Sequence, residues 1–366
     1  MGSLIATADW HLGIRPYSLL RREIDFYKAA KKIIESLEND SIICNAGDIF
    51  DTTKPKFEAI KCLKEINDTL VLKNCTMFYI EGNHDKINLL DDSGLGHWTD
   101  IFNRKDGLGI YYLKSGETKI INNLEITGVG YKQKEDVIEV LKNLPYKSSN
   151  NKKLLMLHIS CADFTKFYME NSFSINDIPN LNYWDYIIIG DTHVHKKVKI
   201  NNTTILSPGP IEMISSAEDT KKFLYEIQDT DIIDIPVITR PCYKFIIKEK
   251  NITDDVIKQL REISKENPLV FIESDKTLIG LNSVYSIFDL DNAVIRFKFY
   301  KDNSMDIDSK INDFMKEDKI LSLSDFTEFY LNKTNFKNSS IVEILKKLSR
   351  KEEVDIKEAL DKLTNF

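Results

Sequence analysis

Five short polar clusters along the chain bring together side chains able to hold hard metal ions. They are Asp9 and His11; Asp48 and Asp51, introduced by Gly47; Asn83, His84 and Asp85, introduced by Gly82; His158; and Asp191, His193 and His195, introduced by Gly190. Carboxylates, imidazoles and an amide oxygen without a thiolate suit Mn²⁺ best, with Mg²⁺, Fe or Zn as alternatives. A pair of such ions activates water near neutral pH and offsets charge on phosphoryl oxygens, so the implied chemistry is phosphoester hydrolysis. Asp9 and His11 would hold a first ion, and Asn83 and His158 a second. Asp48, with two carboxylate oxygens, can bridge ions held ~3.5–4 Å apart. His84 directly follows a ligand but points to the other side of its loop, which suits contact with substrate. As an imidazolium it could bind phosphate or protonate a leaving alkoxide, with Asp85 fixing its orientation and raising its pKa. Asp51 suits a partner of a ligand rather than a ligand.

Taken singly, these clusters are weak signals: Gly-Asp-x-x-Asp is common in solvent-facing turns, and a lone histidine ending a strand is more often a core residue. Their order gives them specificity. Four of them follow the apolar runs Leu4–Ala6, Ile42–Cys44, Met77–Ile80 and Leu154–Leu157, and the fifth follows Tyr186–Ile189. Buried strands that end in ligand-bearing loops are how an α/β sheet gathers distant residues into one crevice. His97, beside Trp98, reads as a packing residue, and Asp163 and Asp185 as cap or turn residues.

Helical spacing of apolar residues predicts helices over 18–38, about 56–70, about 133–144 and about 253–264. Strand, helix, strand, helix, strand through residue 80 marks parallel βαβ units. Residues 109–131, with four glycines and Gly107 just before them, read as a hairpin or meander, and 196–240 as further short strands. Two sheet regions suit a sandwich covered by helices. Past about 241 the ligand clusters stop and strand-like runs alternate with one helix, as in a small α+β unit. The stretch 310–366 is charged and helical, with Ser340-x-x-Glu343 and Asp355-x-x-Glu358 as capping boxes. The expected domains are 1–240, 241–309 and 310–366, with the tail docking on a partner or on its own catalytic domain.

The 366 residues suit about two domains, and 42% hydrophobic content is ample for a core. A net charge of −7 argues against a generic polyanion binder, although two bound ions would add positive charge where a phosphate sits. Five cysteines without C-x-x-C spacing, most inside apolar runs, exclude a disulfide framework and suit a reducing cytosol. The N-terminus enters a strand at once, leaving no room for a signal peptide, and no apolar run approaches the ~20 residues of a membrane span. A cytoplasmic protein is expected.

The ordered blocks resemble the calcineurin-like metallophosphoesterases, whose pattern reads D-x-H, G-D-x-x-D, G-N-H-D/E, H and G-H-x-H, over roughly residues 3–240. Asp9-Trp10-His11-Leu12-Gly13 and Gly47-Asp48-Ile49-Phe50-Asp51 are similar to the SbcD-type DNA repair nucleases. Ser207-Pro208-Gly209-Pro210-Ile211-Glu212 resembles that group's P-G-S-x-E segment, and Thr239-Arg240-Pro241 its T-R-P close. The resemblance implies an α/β (α+β) sandwich flanked by helices, with a small capping domain and a helical tail. It also implies a Mn²⁺-dependent DNA exonuclease and endonuclease, dimeric, beside an SbcC-type coiled-coil ATPase. Small size and an AT-rich residue bias suit a phage-encoded subunit in the host cytoplasm.

One block departs from the family pattern, reading Gly190-Asp191-Thr192-His193-Val194-His195. Either Asp191 replaces the first histidine and His193 is the second ligand, or His193 and His195 are the pair on a loop two residues longer. The first register is favoured, because Asp191 leaves the strand directly after the glycine; His195 then becomes a rim residue touching substrate. Two other functions share these blocks: a stand-alone phosphatase or cyclic-nucleotide phosphodiesterase, and a scaffold on a dead phosphoesterase fold. The T-R-P segment and the long C-terminal extension argue against the former. A metal-competent side chain at every block argues against the latter.

Overall fold

The computed structural model describes residues 2–84, 107–165, 173–228, 231–248, 252–274, 284, 287 and 294–299. Asp85, His97 and the 310–366 tail with its two capping boxes lie outside them. The elements in chain order are β1 (Leu4–Thr7), α1 (Leu20–Ser36), β2 (Ile42–Asn45), α2 (Phe57–Leu72), β3 (Thr76–Tyr79) and β4 (Gly109–Tyr112). They continue with β5 (Thr118–Ile121), β6 (Leu124–Val129), α3 (Lys134–Lys142), β7 (Lys152–His158), β8 (Tyr186–Gly190), β9 (Lys196–Ile200) and β10 (Thr203–Ser207). Last come β11 (Phe223–Ile227), β12 (Ile232–Pro236), β13 (Cys242–Ile247), α4 (Asp254–Ile263), β14 (Leu269–Ser274) and β15 (Val294–Phe299).

These strands form two six-stranded sheets, ordered β12-β11-β1-β2-β3-β4 and β5-β6-β7-β8-β10-β9. Within them β1 to β4 run parallel, as do β6, β7, β8 and β10. Strand alternation sorts the core into layers. Ala6, Cys44, Phe78, Leu154, Met156, Ile188 and Leu206 meet between the sheets. Their sequence neighbours Ile5, Ile43 and Met77 turn outward onto Ile33 and Ile34 of α1 and Leu63 and Ile66 of α2. Leu155, Leu157 and Ile187 do the same on the other side, onto Val137 and Leu141 of α3 and Trp184. Both faces of each sheet are therefore covered, which explains why these strands read as continuous apolar runs rather than alternating ones.

The 109–131 segment, expected as a hairpin or meander, divides between the two sheets. β4 pairs with β3 in the first sheet, while β5 and β6 form an antiparallel hairpin in the second. Each strand faces two cores, β4 through Ile110 and Tyr111 and β6 through Ile126 and Val129. Hydrophobic spacing alone carries no label for which sheet a short strand joins.

A third sheet, β13-β14-β15, is parallel throughout. Val270 and Ile272 pack with Ile247 and Leu260 of α4, a helix whose Thr253 side chain caps the Val256 N–H. Leu269 and Phe271 on the opposite face pack with Met213, Tyr17 and Leu19. A buried ion network joins this unit to the sandwich. Arg22 is fully buried and donates to Asp25 Oδ2 (2.7 Å), Glu212 Oε1 (3.2 Å) and the Met213 carbonyl (2.7 Å). Arg240 donates to both Asp25 oxygens (2.6 and 2.9 Å) and to the Asn267 carbonyl. Its own amide donates to Glu212 Oε2 (3.1 Å). Among the described residues no helix is long and apolar enough to cross a membrane, and all five cysteines are free.

Candidate metal centre

Parallel strands point their C-terminal ends the same way, so the loops after β1, β2 and β3 leave one edge of the first sheet, and those after β7 and β8 leave one edge of the second. The first two loops continue the pairing of their strands. The Asp9 amide donates to the Gly47 carbonyl (3.0 Å), that of His11 to Asp48 (2.9 Å) and that of Leu12 to Ile49 (2.7 Å). This knitting puts Asp9, His11 and Asp48 side by side. Turning each chain at once requires left-handed backbone: φ is +54° at Asp9, +43° at His11, +54° at Asp48, +77° at Asp191 and +54° at His193. Such conformations are uncommon outside glycine and cluster where geometry serves function. Gly47 and Gly190 open the space beside His158, since a Cβ on either would overlap the His158 ring.

Asp48 lies at the centre. Its Oδ1 accepts the His84 amide (2.9 Å). Its Oδ2 lies 3.6 Å from His11 Nε2, 3.4 Å from His158 Nε2 and 3.2 Å from the Asn83 side-chain amide. His11 Nε2 faces His193 Nε2 at 3.2 Å. Asp191 donates its amide to Asp9 Oδ1 (2.9 Å), and its carboxylate lies 3.8 Å from His158 Nε2. Three overlapping groups of metal-competent atoms result: Asp9, His11 and His193; His11, Asp48 and His84; and Asp9, Asp48 and His158. Asp9, His11, Asp48 and His158 are buried and form the floor. Asn83, His84, Asp191 and His193 are more exposed and form a rim open to solvent.

The residues fit divalent ions on three observations. Asp9 Oδ2 is buried without a hydrogen-bond partner. The Asn83 side-chain oxygen faces Asp48 Oδ2, Asp191 Oδ1 and His158 Nε2 at 3.2, 3.2 and 3.0 Å. Three neighbours of that kind are relieved either by rotating the amide or by a cation among them. His158 Nδ1 donates to the Ala46 carbonyl (2.7 Å), which leaves Nε2 to face the cluster. Charge is also out of balance. Burial pushes the Asp9 carboxyl up to about 7, against the opposing pull of His158. Burial would raise Asp48 as well, but His158 and His11 outweigh it and hold that carboxyl below its usual range. Burial would lower His158, yet Asp48 and Asp9 hold its imidazole above the usual value. Burial lowers His193, keeping its ring neutral and able to ligate.

The structure thus brings together Asp9, His11, Asp48, Asn83, His84, His158, Asp191 and His193. Asp51 sits behind two histidines: its Oδ1 is 3.4 Å from His11 Nδ1, and its carbonyl is 2.9 Å from His84 Nδ1. That carbonyl holds the His84 ring, while Asp85, expected to orient it, lies outside the described residues. His195 is not in the cluster. Its ring stacks on Tyr225 (4.3 Å, 17°), Nδ1 meets the Pro208 carbonyl (3.1 Å) and Nε2 lies 3.5 Å from Asp234 Oδ1. Trp10 is fully buried, donating to Thr7 Oγ1 (2.8 Å), and Arg240 belongs to the ion network. Trp10 and Arg240 thus serve as framework, each engaged inside the fold. Sequence reasoning missed Glu218, whose carboxylate lies 3.9 Å behind His193 Nδ1; with no motif around it, nothing in the sequence signals it.

Comparison with known proteins agrees with this geometry. A family model described as calcineurin-like phosphoesterase matches residues 2–195. The DNA double-strand break repair protein Mre11 of Methanocaldococcus jannaschii is 27% identical, over 72% of this chain and 74% of that protein. Its namesake in Methanococcus maripaludis is 24% identical over 88% of each chain. That of Saccharolobus solfataricus is 24% identical over 100% of this chain and 99% of its own.

Proposed function

The chain belongs to the calcineurin-like phosphoesterases, and from that membership we propose that it is a two-metal DNA exonuclease and endonuclease that processes double-strand breaks. The position of Asp48 Oδ2 between His11 and His158 is the observation that most supports a pair of ions. Repair proteins named Mre11 that match across most of the chain support DNA as the substrate. Asp9, His11 and His193 would hold one ion, Asn83, His158 and Asp191 the other, and Asp48 both. Mn²⁺ is the ion this oxygen and imidazole set suits best, with Mg²⁺ as the alternative. Bound there, the ions would supply Lewis acidity toward phosphoryl oxygens and lower the pKa of water.

The chain's own groups do the rest. The Ala46 carbonyl holds the His158 proton on Nδ1, so Nε2 is presented to the ion. The Asp51 carbonyl accepts from His84 Nδ1, which leaves Nε2 of this half-exposed ring as the nitrogen to meet substrate. From Nε2 the His84 imidazolium would donate its proton to the leaving alkoxide. We assign residues 1–240 to the nuclease domain, 241–309 to a capping and DNA-binding domain, and 310–366 to docking of an SbcC-type coiled-coil ATPase. A homodimer suits Leu20, Ile24, Phe57 and Ile60, which α1 and α2 leave exposed.

The test is degradation of duplex and single-stranded DNA by the purified chain with Mn²⁺, set beside hydrolysis of a p-nitrophenyl phosphoester. DNA degradation that Asp48→Ala abolishes is expected. Hydrolysis of the small ester with intact DNA would overturn the nuclease reading and favour the stand-alone phosphatase.

A further inference from the structure

Each histidine of the cluster has an oxygen behind its Nδ1: the Ala46 carbonyl for His158, the Asp51 carbonyl for His84 and the Asp51 carboxylate for His11. For His193 that oxygen belongs to Glu218, and no family block contains it. The Glu218 carboxylate is 9% exposed and its two oxygens divide their work. Oε2 takes the Lys222 ammonium (2.6 Å) and the Ile214 amide (3.3 Å). Oε1 takes the Ser215 amide (3.2 Å) and faces His193 Nδ1 at 3.9 Å. Lys222 is itself only 6% exposed, so the pair is enclosed and weakly screened. At 3.9 Å the carboxylate acts through its field rather than a direct bond. Negative charge at that place favours the proton on Nδ1, and so leaves the lone pair on Nε2, the atom 3.2 Å from His11.

Glu218 rides on the segment 212–222, which the sandwich and the small three-stranded unit hold between them. Arg22 and the Arg240 amide fix its first residue, Glu212. Lys244 on β13 donates to the carbonyls of Ser216 (2.6 Å) and Glu218 (2.9 Å). A direct hydrogen bond from Lys244 on β13 thus reaches the Glu218 backbone, and the Glu218 carboxylate faces His193 across 3.9 Å. We propose that Glu218 is a positioning residue for His193, and that the small unit sets its place through Lys244. The proposal rests on His193 being a metal-holding residue and adds to it a route by which the small unit tunes one of the two ions.

The experiment is titration of the full-length chain with Mn²⁺ alone, followed by calorimetry and by electron paramagnetic resonance, with thermal melts to confirm folding. Glu218→Gln should weaken one of two Mn²⁺ equivalents by about 10–100-fold and leave the other unchanged, as for other partners of ligating histidines. Lys244→Met, which leaves the carboxylate in place, should weaken the same equivalent by roughly three-fold, and Lys244→Arg should restore it. In a His193→Ala background Glu218→Gln should have no further effect. Wild-type binding by Glu218→Gln, or a further loss on top of His193→Ala, overturns the proposal while leaving the metal reading intact. Wild-type binding of both equivalents by His193→Ala overturns the ligand role of His193 and the proposal with it.

Discussion

The sandwich and the small three-stranded sheet are both built on parallel strands backed by helices, yet among the described residues only the sandwich ends in a cluster of metal-competent side chains. β1, β2, β7 and β8 run into Asp9, Asp48, His158 and Asp191, whereas β13 and β14 end at Ile247 and Ser274, both buried. None of the six histidines lies beyond residue 195. The backbone differs too. Five residues of the cluster hold positive φ; within the small unit the only described non-glycine residue that does so is Asn267, a type that tolerates it. A parallel sheet supplies a crevice, but a metal site also needs loops that turn sharply enough to aim side chains back across the strand ends. Strain of this kind persists because the surrounding hydrogen bonds over-determine it.

The most severe way to break that difference is to remove the residue both ions share. Asp48→Ala should lower DNA degradation by about 10³-fold or more, since metal charge is worth several kcal/mol to the transition state. The small unit should melt as before, because Asp48 contributes nothing to its core. Substantial nuclease activity in the purified variant would sink the two-ion reading. His84→Ala comes next, with an expected loss of roughly 10²–10⁴-fold in kcat, the range of general acid catalysis. Mn²⁺ should bind at its usual stoichiometry, so a lost equivalent would show His84 to be a ligand instead.

Much of the floor of the site was legible because its signals are local: an apolar run, a glycine, then a ligand. Helix spacing placed α1, α2, α3 and α4 within about two residues of their observed ends for the same reason. What escaped depends on contacts between residues far apart in sequence. Glu218 lies 25 positions after His193 (218 − 193) and Arg22 lies 190 before Glu212, and no periodicity joins such pairs. The hold of the Asp51 carbonyl on the His84 ring is a second instance. A backbone carbonyl has no letter in the sequence.

The boundary between the two regions offers a sharper test. Arg22→Met leaves Asp25 and Glu212 buried with one cation fewer, a change that typically costs about 3–5 kcal/mol. The melting temperature should fall and limited proteolysis should open the segment joining the sandwich to β13. Mn²⁺ bound at saturation should remain at two equivalents per chain, because neither carboxylate of the network touches the cluster. An unchanged melting temperature would show that the network contributes no net stability and that Arg240 must be explained in another way.

The smallest expected effect separates framework from substrate contact at the rim itself. His195 lies two residues beyond His193, yet its ring stacks on Tyr225 and its Nδ1 is bound to the Pro208 carbonyl. His195→Phe keeps the stacking surface and removes one hydrogen bond, a loss of about 1 kcal/mol in stability. DNA degradation should change by less than about three-fold, well under the 1.4 kcal/mol that a ten-fold change represents. A rise in KM for DNA with Mn²⁺ affinity unchanged would show that the ring meets the substrate after all. Lost Mn²⁺ affinity would instead favour the longer register of the Gly190 loop. The geometry predicts neither, because the ring is already engaged on both sides, by Pro208 and by Tyr225.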